Sequence, residues 1–113
     1  MKNYSTAVIV LIGLLSCQQA SSHVVFTDQL AMAGSYYKGT LRVGHGCGDE
    51  STTSITVKIP AGFEGAKPQP KFGWILTIKK EPLSKPYTSH GKTITEDVVE
   101  IKWEATSKDF YLP

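Results

Sequence analysis

With 113 residues and a formal net charge of +2 at pH 7, the chain has room for one small domain and little charge excess. Phosphate binding needs a clustered basic surface, so this balance excludes nucleic acid as the expected partner. Residues 1–22 read as an export signal: Lys2 opens it, Ala7 to Leu15 is apolar, and Ala20-Ser21-Ser22 offers the small residues a signal peptidase reads. The apolar run is too short to cross a bilayer of roughly 30 Å as a helix, and no later stretch is more apolar, so no membrane span is expected after cleavage. The product, residues 23–113, is expected in the periplasm or outside the cell. Leu14-Leu15-Ser16-Cys17 loosely resembles a lipoprotein box, and a cut there would make Cys17 the acylated first residue and leave His23 without a free amine.

From His23 onward the sequence reads as strands broken by turns, with no helical period. After a short apolar stretch at 23–26, "SYYKGTLRV" (35–43) alternates, with Tyr37, Gly39, Leu41 and Val43 on one face. "SITVKIP" (54–60) sets Ile55, Val57 and Ile59 against Thr56 and Lys58. "GWILTIKK" (73–80) puts Trp74, Leu76 and Ile78 together, and "VVEIKWEA" (98–105) sets Val99, Ile101 and Trp103 against Val98, Glu100, Lys102 and Glu104. Residues 44–53, 60–73 and 81–92 are rich in Gly, Pro and Ser and read as turns. About six strands, counting one that starts at Phe110, predict an antiparallel β-sandwich. Because the chain stops at "FYLP" as that strand begins, the sandwich is expected to be incomplete, with strands missing at its C-terminal end.

The chemistry-bearing residues are few. A histidine at a free N-terminus offers its α-amine and ring Nδ1 to one metal ion, so His23 supplies two nitrogen ligands with no loop to close. Both groups have modest proton affinity near neutral pH, and nitrogen ligands in a tetragonal arrangement suit Cu(II). The competing reading is that His23 merely marks where the signal ends. His45 and Cys47, alternating in "GHGCG", could share a soft metal such as Cu(I) or Zn, but two ligands do not close a tetrahedral site. In an oxidising compartment Cys47 is a reactive thiol, a metal ligand or half of a disulfide. His90 in "TSHGK" reads as a turn histidine, Trp74 and Trp103 as core, and Glu100 and Glu104 as outward carboxylates. No Ser-His-Asp ordering and no phosphate-binding glycine loop is present, so no catalytic residues are assigned.

In order along the chain, "HVVFTDQLAMAGSYYKGTLRVGHGCGDESTTSITVKIPAGF", "KPQPKFGW", "KPYTSHGK" and "VVEIKWEA" resemble the YcnI-like copper-binding domain family of exported bacterial proteins. The likeness runs from His23 to about Leu112. It implies a β-sandwich of cupredoxin-like or immunoglobulin-like type that binds Cu(II) through the mature N-terminal histidine, here His23. It also implies that an acidic residue, with a tryptophan nearby, completes the site from a segment beyond this chain's end, so only His23 is carried over. The same absent segment would hold a disulfide partner for Cys47.

The expectation is therefore an exported protein, not an enzyme, that binds copper for homeostasis, storage or delivery, with another copper-handling protein as the delivery partner. A copper oxidase of histidine-brace type would need His45 or His90 to reach the same ion. A metal-free interaction module, secreted or lipid-anchored through Cys17, is the third reading.

Overall fold

The computed structural model describes residues 24–44 and 50–113. Five strands occur in chain order among them: β1 Val24–Phe26, β2 Leu41–Val43, β3 Ser54–Lys58, β4 Trp74–Ser89 and β5 Lys92–Ala105. One turn of 3-10 helix, Lys108–Phe110, follows. They form two antiparallel sheets, β1-β2 and β3-β5-β4, giving the all-β, sandwich-like architecture expected from the alternating pattern.

The larger sheet shows how period-2 alternation becomes a core. Directly opposed residues of an antiparallel pair share a face. Val57 and Ile78 flank Ile101 in one row, and Ile55 and Leu76 flank Trp103 in the next. Among the described residues Ile101 is the most enclosed apolar one, 4% exposed, and Trp74 and Val98 are also buried. The opposite face carries Lys58, Lys79, Lys102, Glu100 and Glu104, with ion pairs Lys79–Glu81 at 3.2 Å and Lys102–Glu104 at 2.8 Å. This is the one-sided antiparallel sheet that alternating sequences make.

Two irregularities in the β4-β5 ladder depart from the simple pattern. Val99 is an extra residue, since Lys79 opposes Glu100 while Lys80 opposes Val98. This bulge turns Val98 inward and buries it, although alternation alone assigns it to the outer face with Glu100. Farther along, Pro82 opposes Glu96 and Tyr87 opposes Ile94, so residues 83–86 bulge against Thr95. Residues 81–92, expected as a turn region, are instead the far half of the hairpin. The prolines act locally: Pro82 and Pro86 have no N–H to give the ladder, and the register slips between them. The true reversal is only His90-Gly91, with φ of 49° and 74°, closing the pair Ser89–Lys92. Two successive positive φ angles match a tight hairpin turn whose twist suits the strands.

At the other end, only Leu41–Val43 of the expected 35–43 strand pairs with β1, and the 54–60 strand ends at Lys58. The expected strand at Phe110 reduces to a bridge in which Thr52 and Leu112 exchange hydrogen bonds of 2.8 and 3.1 Å. Phe110 itself belongs to the 3-10 turn, where its ring lies against Gly73 and edge-on to Phe72, centroids 5.5 Å apart.

Candidate functional site

The smaller sheet positions the start of the domain. Val24 pairs with Val43, Val25 with Arg42 and Phe26 with Leu41, and Thr27 N–H donates to the Thr40 carbonyl at 2.8 Å. The loop from 28 to 39 packs back on this pair: the Tyr37 hydroxyl donates to the Asp28 carbonyl, and Phe26 and Tyr37 meet edge to face at 6.2 Å. His23, the sequence-predicted ligand, lies outside the described residues, as do His45 and Cys47.

The remaining candidates are all described. His90 sits exposed at the hairpin tip, the turn position expected of it. Trp74 is 8% exposed, with its indole N–H buried and unpartnered, and Trp103 is half-buried, its indole donating to the Gln69 carbonyl at 3.0 Å. Both are core residues, as their spacing predicts. Glu104 is paired with Lys102, whose ammonium it holds above the ordinary lysine range by accepting its hydrogen bond. Glu100 lies in the same outer row as Lys58 and Lys79. Both carboxylates belong to the solvated lysine-rich face. Among the described residues, no three or more His, Cys, Asp or Glu side chains gather as a metal site. Nor is any described helix long and apolar enough to cross a membrane.

One polar junction was not foreseen. Asp97 is 8% exposed, and its carboxylate accepts from Gly65 N–H at 2.9 Å, the Tyr87 hydroxyl at 2.7 Å and Val98 N–H at 2.8 Å. Burial pushes its carboxyl up. The three hydrogen bonds and the nearby Lys80 charge outweigh burial, leaving it below the usual carboxylate value. At Tyr87 the same bond and the loss of solvent act together, so the phenol is pushed up to about 12. Asp97 is invisible to strand patterning because its partners lie 10 and 32 residues away. The usable signal is the glycine- and proline-rich stretch at 60–73, which needs an anchor on the sheet.

Fold and junction together define a small all-β domain among the described residues. The chain belongs to the family described as a domain of unknown function (DUF1775), whose model matches residues 23–112, and this is the YcnI-like family that the motifs resemble. No curated protein and no solved structure matches the chain significantly.

Proposed function

We propose that this is an exported copper-binding protein that, once residues 1–22 are removed, takes Cu(II) on the α-amine and imidazole of His23. The observation that carries the reading is that the family match opens at His23. The donor chemistry suits the ion: amine and imidazole are borderline nitrogen ligands that bind Cu(II) ahead of the other divalent first-row metals. Both come from one residue, so the chelate forms without a second side chain, with water or a carboxylate filling the remaining positions. Binding without turnover fits storage, homeostasis or delivery in the periplasm or outside the cell, where another copper-handling protein would receive the ion.

The test has two parts. Mass spectrometry of the exported chain is expected to find His23 first; acylated Cys17 at that place would abolish the chelate. Cu(II) added to the chain starting at His23 is expected to give a nitrogen-rich tetragonal EPR spectrum that is lost when residues are added before His23. An unchanged spectrum from the extended chain overturns the assignment.

A further inference from the structure

Between β3 and β4 the chain crosses the apolar face of the larger sheet. Its ends are marked by glycines with left-handed backbone, Gly62 at φ 97° and Gly73 at φ 79°, and Gly65 at φ 63° lies just inside. Such positions turn the chain at no side-chain cost. Pro68 and Pro70 stiffen the stretch between them, so it behaves as a semi-rigid bar between pivots.

Its attachments are few. Among the described residues, no backbone–backbone hydrogen bond joins residues 64–70 to the sheet. Two side-chain bonds do, from Gly65 N–H to Asp97 and from the Trp103 indole to the Gln69 carbonyl. Beneath the bar is a cleft of about 330 Å³ lined by aliphatic Leu76, Ile78 and Val98 together with charged Lys67, Lys80 and Asp97. Ile78 remains 44% exposed even with the bar in place. Of the bar's own residues 64–71 only Ala66 and Pro68 are half-buried and the rest are exposed, so lifting it gives up the burial of those two and of Val98 beneath them. Asp97 would not be stranded either, because Tyr87 and Val98 still donate to its carboxylate. A segment with few backbone bonds and little buried area opens at lower free energy than the ladder beneath it.

We propose that residues 64–71, between the aromatic anchors Phe63 on Tyr37 and Phe72 on Phe110, form a hinged strap, latched at Asp97 and Trp103, that lifts as a unit from an intact β3-β5-β4 sheet and uncovers the face at Leu76, Ile78 and Val98. This device is independent of copper binding and of residue 23. In the open state the face is exposed to solvent, and 1-anilinonaphthalene-8-sulfonate is the probe of that exposure.

The latch protons report the motion directly. In native-state hydrogen exchange followed by NMR on the full chain, the Gly65 amide and the Trp103 indole are expected to share one protection factor, at least 10-fold below those of the β5 ladder amides. Asp97→Asn keeps the shape but replaces one of the two accepting oxygens by an NH2 that cannot accept, and should lower both latch protections together, leave the β5 ladder amides other than Val98 unchanged and raise probe fluorescence. Trp103→Phe removes the other latch and should lower protection at Gly65. Should Asp97→Asn fail to fold, the wild-type hierarchy and Trp103→Phe decide the matter. Equal protection at latch and ladder, or a Gly65 amide indifferent to Trp103→Phe, overturns the strap.

Discussion

Gly73 shows how much one missing side chain permits. A Cβ placed there would lie 2.2 Å from Cδ1 of Phe110, and the residue already holds φ 79°. An alanine in its place would have to displace the ring and adopt a left-handed backbone that costs an L-residue roughly 1–2 kcal/mol. Gly73→Ala is therefore expected to lower stability by about 2 kcal/mol or more, read as a fall in the urea midpoint with unchanged slope. The Asp97–Tyr87 bond makes a second prediction, whose sign follows from the two shifts. Asp97 is depressed, so its contribution is complete above the ordinary carboxylate value of about 3.9 and is lost as pH falls through the lower folded value. Tyr87 is raised, so its contribution is complete below the ordinary phenol value of about 10 and is lost as pH rises through about 12. Denaturant titrations of wild type and Tyr87→Phe should differ at neutral pH and converge at both extremes. A constant difference across the range would show that the phenol contributes only packing.

At the scale of the strand, position in the ladder decides the cost of a substitution. Ile101 stands between Val57 and Ile78 on the central strand and is 4% exposed, whereas Ile75 on the outer face is 60% exposed. Ile101→Ala is expected to cost about 2–4 kcal/mol from lost transfer energy and the cavity left behind. Ile75→Ala should change stability by no more than about 0.5 kcal/mol; equal effects in chemical denaturation would contradict the assigned faces. These faces were legible because alternation within 54–58, 74–80 and 99–105 is local information. Val98 was not legible, since its inward turn depends on the Val99 bulge, which appears only when β5 is registered against β4. The far half of the hairpin was hidden for a related reason. Pro82 and Pro86 carry the sequence signature of a turn, yet on an edge strand their missing donors cost only a slip of register, and the reversal waits for His90-Gly91. Of the candidate site, the expectation at His23 rests on its place in the sequence, because a terminal chelate needs no tertiary structure, and the residue lies outside those described. The Asp97 junction needed the fold.

Across the whole molecule the two sheets are held very differently. The larger has a buried row; the smaller has three residue pairs, and a two-stranded sheet is marginal in water by itself. Among the described residues an aromatic chain links them: Phe26 to Tyr37, and Tyr37 to Phe63 beyond β3, with centroids 6.2 and 6.4 Å apart. Gly39 lets the first two rings close, since a Cβ there would come within 3.0 Å of Phe26. Phe63 is 49% exposed, so its removal forfeits one edge-to-face contact and part of a ring's burial, about 1–2 kcal/mol. Phe63→Ala is therefore expected to lower the protection of the Thr27 amide, bonded across the β1-β2 pair, by roughly 5–30-fold, while β5 amides keep theirs. The same variant bears on the copper reading. A chelate built from the amine and imidazole of one residue does not depend on how β1 sits against the larger sheet, so Phe63→Ala should leave Cu(II) affinity within about threefold of wild type, a difference below about 1 kcal/mol. A much larger loss, with the Thr27 amide loosened as expected, would mean that a ligand for the ion comes from beyond the first sheet. That ligand could then be sought by repeating the EPR measurement on carboxylate variants of β4 and β5.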